Sequence, residues 1–310
     1  MSFATETLNR VLPPAHQVNP IWLPGFRILG SLFMLLHFCA MLPDFYAFWG
    51  QEALVYPDIL DAHADTLTPT VYDLHQFLNR YIVLGYHTVL TVVAGSYALA
   101  LLALALGFIS RWSAGVALVT HLVLMHSIET FAYGVDFITS ICLFYLLIFP
   151  VGKYYSLDTY FRRTPTSSST DSRFFIGLFQ AHWSAAYFFS GLAKALGPTW
   201  WNGEAVWKSL YSYNQTGLLD PEIWKSHPVL LTLVGIGTVL LELLYPVGVR
   251  FQVLRKPWVI GIILMHIGIG LLLGLYFFSG IMVLINLVGF WLPYMDQQDQ
   301  ASGSFAHKTV

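Results

Sequence analysis

Eight times along this chain a mostly apolar run reaches or approaches the length of a membrane crossing, at about 21–43, 81–109, 112–132, 135–151, 174–196, 228–249, 258–275 and 277–293. A helix needs roughly 20 apolar residues to cross the hydrocarbon of a bilayer. Composition agrees, with 56% hydrophobic and 10% charged residues and a mean hydropathy of +0.62. Soluble domains carry roughly 25% charged residues. The expected fold class is therefore all-α: a polytopic integral membrane helical bundle of about eight transmembrane helices. The first twenty residues are polar and lack the short apolar core and small-residue cleavage site of a signal peptide, so the first run is expected to stay as a helix.

Orientation follows from the basic residues. With the N-terminus inside, eleven of the fifteen Lys and Arg fall on the inner face, leaving Arg80, Lys194, Lys208 and Lys225 outside or in the membrane. That bias predicts an N-in, C-in chain with eight crossings. The predicted organisation is a cytoplasmic segment at 1–20, a transmembrane domain at 21–294 and a polar tail at 295–310. Outer loops are expected at 44–80 and 197–227, and an inner linker at 152–173. The second outer loop carries Trp200, Trp201, Trp207 and Trp224, suited to the bilayer interface. A net charge of −2 gives no reason to expect a nucleic-acid partner. Cys39 and Cys142 lie inside apolar runs and read as small core residues.

Polar residues inside the apolar runs are the candidate functional groups, because such residues cost free energy and usually mark function. Lys194 ends the run YFFSGLAK and has no acid within one helical turn. Two readings stand for it. It snorkels to the outer interface a few residues away, or it is a desolvated amine acting as a base. His126 and Glu129 are three apart and share a helix face. By position in their runs, His126, Glu129 and Lys194 belong to the outer half of the bundle, with His266 joining from below. A lysine, a histidine and a carboxylate in a dry cavity suit proton abstraction or relay. Glu242, four residues before Pro246, reads as a group satisfying backbone freed by a kink. His37, His87, His121 and His182 read as structural. No metal is expected, since no His/Glu ligand pair recurs across helices. Hydrolase, nucleotide-binding and dinucleotide-binding motifs are absent from the sequence. Gly270 and Gly274 form a Gly-x-x-x-Gly helix-packing pattern.

Seven pieces, in order, carry a family resemblance: FRILGSLFMLLHFCAMLPDFYAFWG, GFISRW, LMHSIETFAYGVDF, FPVGKYYSLDTYF, QAHWSAAYFFSGLAKALGPTWWNGEAVW, LELLYPVGV and MHIGIGLLLGLYFFSGIMVL. Over about residues 20–295 the chain resembles the horizontally transferred transmembrane (HTTM) domain family. That family includes the membrane part of vitamin K-dependent gamma-glutamyl carboxylase and the B component of the sporulation-delaying peptide toxin system. The resemblance implies a multi-pass protein of the bacterial cytoplasmic (inner) membrane. It implies that Lys194 is a base linked to a reduced quinone of the vitamin K hydroquinone type. His126, followed by Ser127, and His266 match the carboxylase's assisting histidines, and Gln180 matches a glutamine upstream of its lysine. Glu129 and Glu242 are supporting polar groups. The lumenal domain that binds the carboxylase's protein substrate has no counterpart here, so the implied chemistry is confined to the quinol side.

Two functions follow as expectations. The first is a carboxylase-like or quinol-dependent membrane enzyme with Lys194 as base. The second is a non-catalytic membrane factor for the maturation, export or immunity of a small secreted peptide bound at the outer face. A proton-coupled transporter is a third option, against which stands the lack of an inverted repeat of broken segments.

Overall fold

The computed structural model describes residues 18–54, 68–162, 170–212, 218 and 227–295. The sequence-stretch expectations for 1–17, the 163–169 part of the linker, Trp224, Lys225 and the tail beyond 295 lie outside these residues. Among the described residues the chain is helical, with no strand. All eight apolar runs are helical. Four helical segments are long and apolar enough to cross a membrane: Trp22–Trp49, Tyr86–Leu106, Gln252–Leu273 and Tyr276–Tyr294. Many of their large apolar side chains, such as Leu36, Val92, Leu99 and Leu264, are exposed. In water that would be costly; against lipid tails it is the ordinary arrangement. This is a membrane protein.

The chain divides into two compact units, Leu23–Thr166 and Met1–Trp22 with Ser167–Val310. The first unit contains most of α1 (Trp22–Met41), then α2 (Phe45–Trp49), α3 (Val71–Leu78), α4 (Tyr86–Leu106), α5 (Ser110–His126), α6 (Gly134–Ile148) and α7 (Leu157–Arg162). The expected outer loop 44–80 is therefore partly helical. α3 starts in a capping box, with the Thr70 hydroxyl accepting from the Asp73 N–H and the Asp73 carboxylate accepting from the Thr70 N–H.

A polar knot closes this unit at one end. Arg27 is fully buried in α1 and donates to the carbonyls of Val151, Tyr154 and Tyr155 at 3.0, 3.3 and 2.6 Å. Asp158 accepts from the Ile109 and Ser110 N–H groups at 2.7 and 2.8 Å, capping the start of α5. Gly107 joins the two groups at a φ of 70°, where a Cβ would lie 2.4 Å from Ser156 Cβ and 2.6 Å from the Arg27 guanidinium. Only glycine meets both demands. The sequence pieces GFISRW and FPVGKYYSLDTYF thus meet in space.

The second unit holds α8 (Thr170–Ala195), α9 (Pro198–Trp201), α10 (Glu204–Ser212), α11 (Pro228–Leu243), α12 (Tyr245–Arg250), α13 (Gln252–Leu273) and α14 (Tyr276–Asn286). A π turn at Leu287–Trp291 and a 3-10 turn at Leu292–Tyr294 follow. α8 packs on α11, and α13 on α14. The α13–α14 turn is as tight as the sequence predicts. Gly270 and Gly274 differ in purpose, though. Gly270 packs against Ser279, while Gly274 takes the left-handed C-cap of α13 at φ 72°.

Helices also fill the expected loop 197–227 at its start. α9 and α10 lie along the first half of α11. A Cβ on Gly235 would sit 2.4 Å from the Trp200 carbonyl oxygen, and one on Gly203 2.6 Å from the Thr232 nitrogen. α11 therefore runs antiparallel beside α10, α9 and then α8.

Candidate functional site

α8 presents Tyr187, Ser190, Gly191 and Lys194 along one face, at the three- and four-residue spacing of a helix. Gly191 has no side chain, and a Cβ there would lie 2.3 Å from the Leu243 nitrogen. The α8 and α11 backbones touch at this point. One residue before Leu243 stands Glu242, and its Oε2 accepts from Lys194 Nζ at 2.6 Å. Lys194 also donates to Ser190 Oγ at 2.6 Å. Its ammonium lies 5.4 Å from the centre of the Trp200 ring, within cation–π range.

Glu242, read from the sequence as serving the backbone near Pro246, is the partner of Lys194, which has no acid within one turn of its own helix. α11 begins beside α10 and reaches Lys194 only near its own end. The Lys194 side chain is 21% exposed and that of Glu242 7%. The lysine is thus held at the pair, and the snorkelling reading has no support in this geometry.

Beside the pair runs a buried chain of hydrogen bonds with a fixed direction. Tyr245 OH donates to Asn286 Oδ1 at 2.7 Å. Asn286 Nδ2 donates to the Met282 carbonyl at 2.8 Å and to Tyr187 OH at 2.7 Å. A carbonyl can only accept, so the amide orientation is settled by the network. Tyr187 OH lies 2.9 Å from His266 Nε2, the acceptor left for its proton once Asn286 Oδ1 is taken by Tyr245; with the tyrosine donating there, a neutral His266 carries its proton on Nδ1. That atom is buried and has no hydrogen-bond partner among the described residues. The tyrosine rings stack, with centres 4.2 Å apart, and the Phe278 ring meets His266 edge-on. The site combines a lysine–carboxylate pair with one buried N–H donor in apolar, aromatic surroundings.

Comparisons with protein-family models, with curated proteins and with solved structures return no match. The site is therefore read from its own geometry.

The remaining expected site residues are Gln180, His126 and Glu129. Gln180 is 14 residues before Lys194, about 21 Å along a helix. It donates to the Gly289 carbonyl at 2.6 Å and fastens α8 to the π turn. His126 and Glu129 make their expected contact, Nδ1 to Oε2 at 3.7 Å, in the unit of residues 23–166. Glu129 has left the α5 helix for a separate 3-10 turn and its side chain is 61% exposed. Sequence reasoning missed Asn286, Tyr187 and Tyr245. Asn286 carried a readable signal, being a fully buried amide inside the apolar run IMVLINLVGF. It does not ionise, so a search for charged groups passed over it.

The chain of bonds makes a prediction. Tyr245→Phe strands Asn286 Oδ1, and a buried acceptor left unpaired costs about 1–3 kcal/mol. Thermal unfolding in detergent reads that loss. Nitrogen-15 NMR of labelled histidine is expected to show the Nδ1–H tautomer of His266 in the wild type and a mixture in Tyr245→Phe. An unchanged tautomer would show that the tyrosine does not set the direction of the chain.

Proposed function

We propose that this protein holds an apolar, oxygen-bearing ligand at Lys194 and moves a proton to or from it, with a reduced quinone as the ligand class. The observation that carries this reading is the Lys194–Glu242 pair. Two groups of opposite charge 2.6 Å apart can accept and return a proton without leaving a lone charge in an apolar interior. The residues fit such a ligand: His266 Nδ1–H offers a donor for a ligand oxygen, and the aromatic surroundings suit a ring. A bound hydroquinone would supply the acidic O–H and the reducing electrons. In the pair Lys194 is an ammonium, so one Nζ proton would first pass to Glu242 Oε2; the neutral amine would then take the ligand O–H proton, and Ser190 and Trp200 hold the ammonium that re-forms.

In this reading the eight helical runs are eight crossings, both chain ends lie at the inner face of a bacterial cytoplasmic membrane, and the chain is of the HTTM kind. A second reading, a non-catalytic factor for a small secreted peptide, draws on the exposed ring of Trp201 beside the site.

Mass spectrometry of lipid extracts tests both. The purified wild type is expected to retain a quinone, and Lys194→Met to lose most of it. Absence of a quinone from both samples, with a co-purifying peptide or protein, would replace the first reading by the second.

A further inference from the structure

The unit of residues 23–166 contains another set of buried polar groups, centred on Asp136 in the first turn of α6. Asp136 is only 4% exposed. Its Oδ2 accepts from the Tyr133 backbone N–H at 3.0 Å. Its Oδ1 has no hydrogen-bond partner among the described residues. The nearest ionisable partner is His37 of α1, with Nδ1 at 3.9 Å, beyond hydrogen-bond distance.

His121 of α5, 1% exposed, bonds the Asp136 carbonyl through Nε2 at 3.1 Å. Since a carbonyl only accepts, Nε2 bears the proton and Nδ1 presents a lone pair. That lone pair is also buried and without a partner among the described residues. The hydroxyl of Thr139, one turn along α6, is in the same condition. Of the remaining titratable groups, Tyr97 of α4 has its ring 5.5 Å from His121, and Tyr133 meets His37 edge-on at 6.4 Å. No Lys or Arg pairs with Asp136 among the described residues.

The balance of these groups is decisive. Asp136 Oδ1 and His121 Nδ1 are two unpartnered acceptors against the single unpartnered hydroxyl proton of Thr139, so the set is one proton short. An anion would be repelled. A metal ion is disfavoured because no three His, Cys, Asp or Glu side chains are arranged to hold one among the described residues. A buried carboxylate with one oxygen unpartnered is unfavourable even with the Tyr133 N–H on its other oxygen and a helix first turn beneath it, and taking up a proton is the usual remedy.

We propose that Asp136, flanked by His37 and His121, is a proton-binding site inside the 23–166 unit. One proton from solvent forms an O–H bond at Asp136 Oδ1, and the carboxylate becomes a neutral carboxyl. His37 Nδ1, 3.9 Å from the carboxyl, and His121, bonded to the Asp136 carbonyl, hold that residue in place. This inference does not rest on the quinone reading of Lys194.

Infrared spectroscopy of the full chain in phosphatidylcholine vesicles tests it. At about pH 5, near the upper reach of ordinary carboxyl titration, the wild type is expected to show a protonated-carboxyl C=O stretch. Asp136→Asn keeps an oxygen for the Tyr133 N–H and is expected to lose that band, whereas Glu242→Gln is expected to keep it. Identical band intensity in the wild type and Asp136→Asn would overturn the proposal. Should Asp136→Asn fail to fold, solid-state NMR of carbon-13 aspartate in the wild type decides instead. A buried carboxyl signal at the protonated position supports the site, and only ionised signals overturn it.

Discussion

Lys194→Met is expected to destabilise the purified protein by about 3–5 kcal/mol, the cost of leaving one member of a buried ion pair without the other. The stranded group would be Glu242, whose side chain is 7% exposed. Glu242→Leu should be milder, because the 21% exposed Lys194 retains Ser190 and Trp200 and some access to the surface. Removing both charges should restore most of the loss, since apolar replacement of a buried pair is often neutral or better. Denaturation in detergent of the wild type, the two single variants and Lys194→Met/Glu242→Leu forms a complete cycle. Lys208 and Glu204 give an internal contrast. Their 2.8 Å pair is exposed on one helix face, and Lys208→Met should leave the unfolding midpoint essentially unchanged. If Lys194→Met proved equally mild, the pair would contribute nothing to the fold.

The cycle also separates stability from function. A double variant as stable as wild type but unable to retain a quinone would show that the pair is kept for its chemistry. A double variant normal in both respects would make the pair a dispensable contact and end the proposal for Lys194.

Gly191→Ala is expected to be the more disruptive backbone change, although it adds a single methyl. The new Cβ would lie 2.3 Å from the Leu243 nitrogen, 2.7 Å from its Cα and 2.8 Å from the Glu242 carbonyl carbon. None of these atoms belongs to a side chain that can turn aside. α8 and α11 would have to separate by on the order of 1 Å to restore ordinary contact. That shift costs at least the roughly 1–3 kcal/mol of ordinary overpacking, and it stretches the Lys194–Glu242 hydrogen bond. Gly237→Ala and Gly268→Ala are the controls, because a Cβ at either position meets nothing within 4 Å. Both should be neutral or should stabilise by about 0.5–1 kcal/mol through helix propensity. Thermal unfolding of the three variants reads the difference. A wild-type midpoint for Gly191→Ala would mean that the two helices are free to move apart.

Much of this protein is legible in its sequence. The apolar runs dictate helices because backbone polar groups in lipid must bond within their own segment. Runs of about 20 residues leave little choice of structure, so all eight run positions are helical. The tight α13–α14 turn is written in Gly274, and the candidate lysine stands out because an amine in an apolar run is costly. What the sequence did not supply is the partner of that lysine. Glu242 is 48 residues away, and no local pattern links the two. Their meeting depends on α9 and α10 occupying the first half of α11, which sets the level at which α11 passes Lys194. It depends too on Gly191 letting two backbones touch. The direction of the Tyr245–Asn286–Tyr187–His266 chain is likewise a property of four helices together, since each donor finds its acceptor only after packing. Local chemistry chose the helices and the costly residues; tertiary packing chose which of those residues neutralise one another.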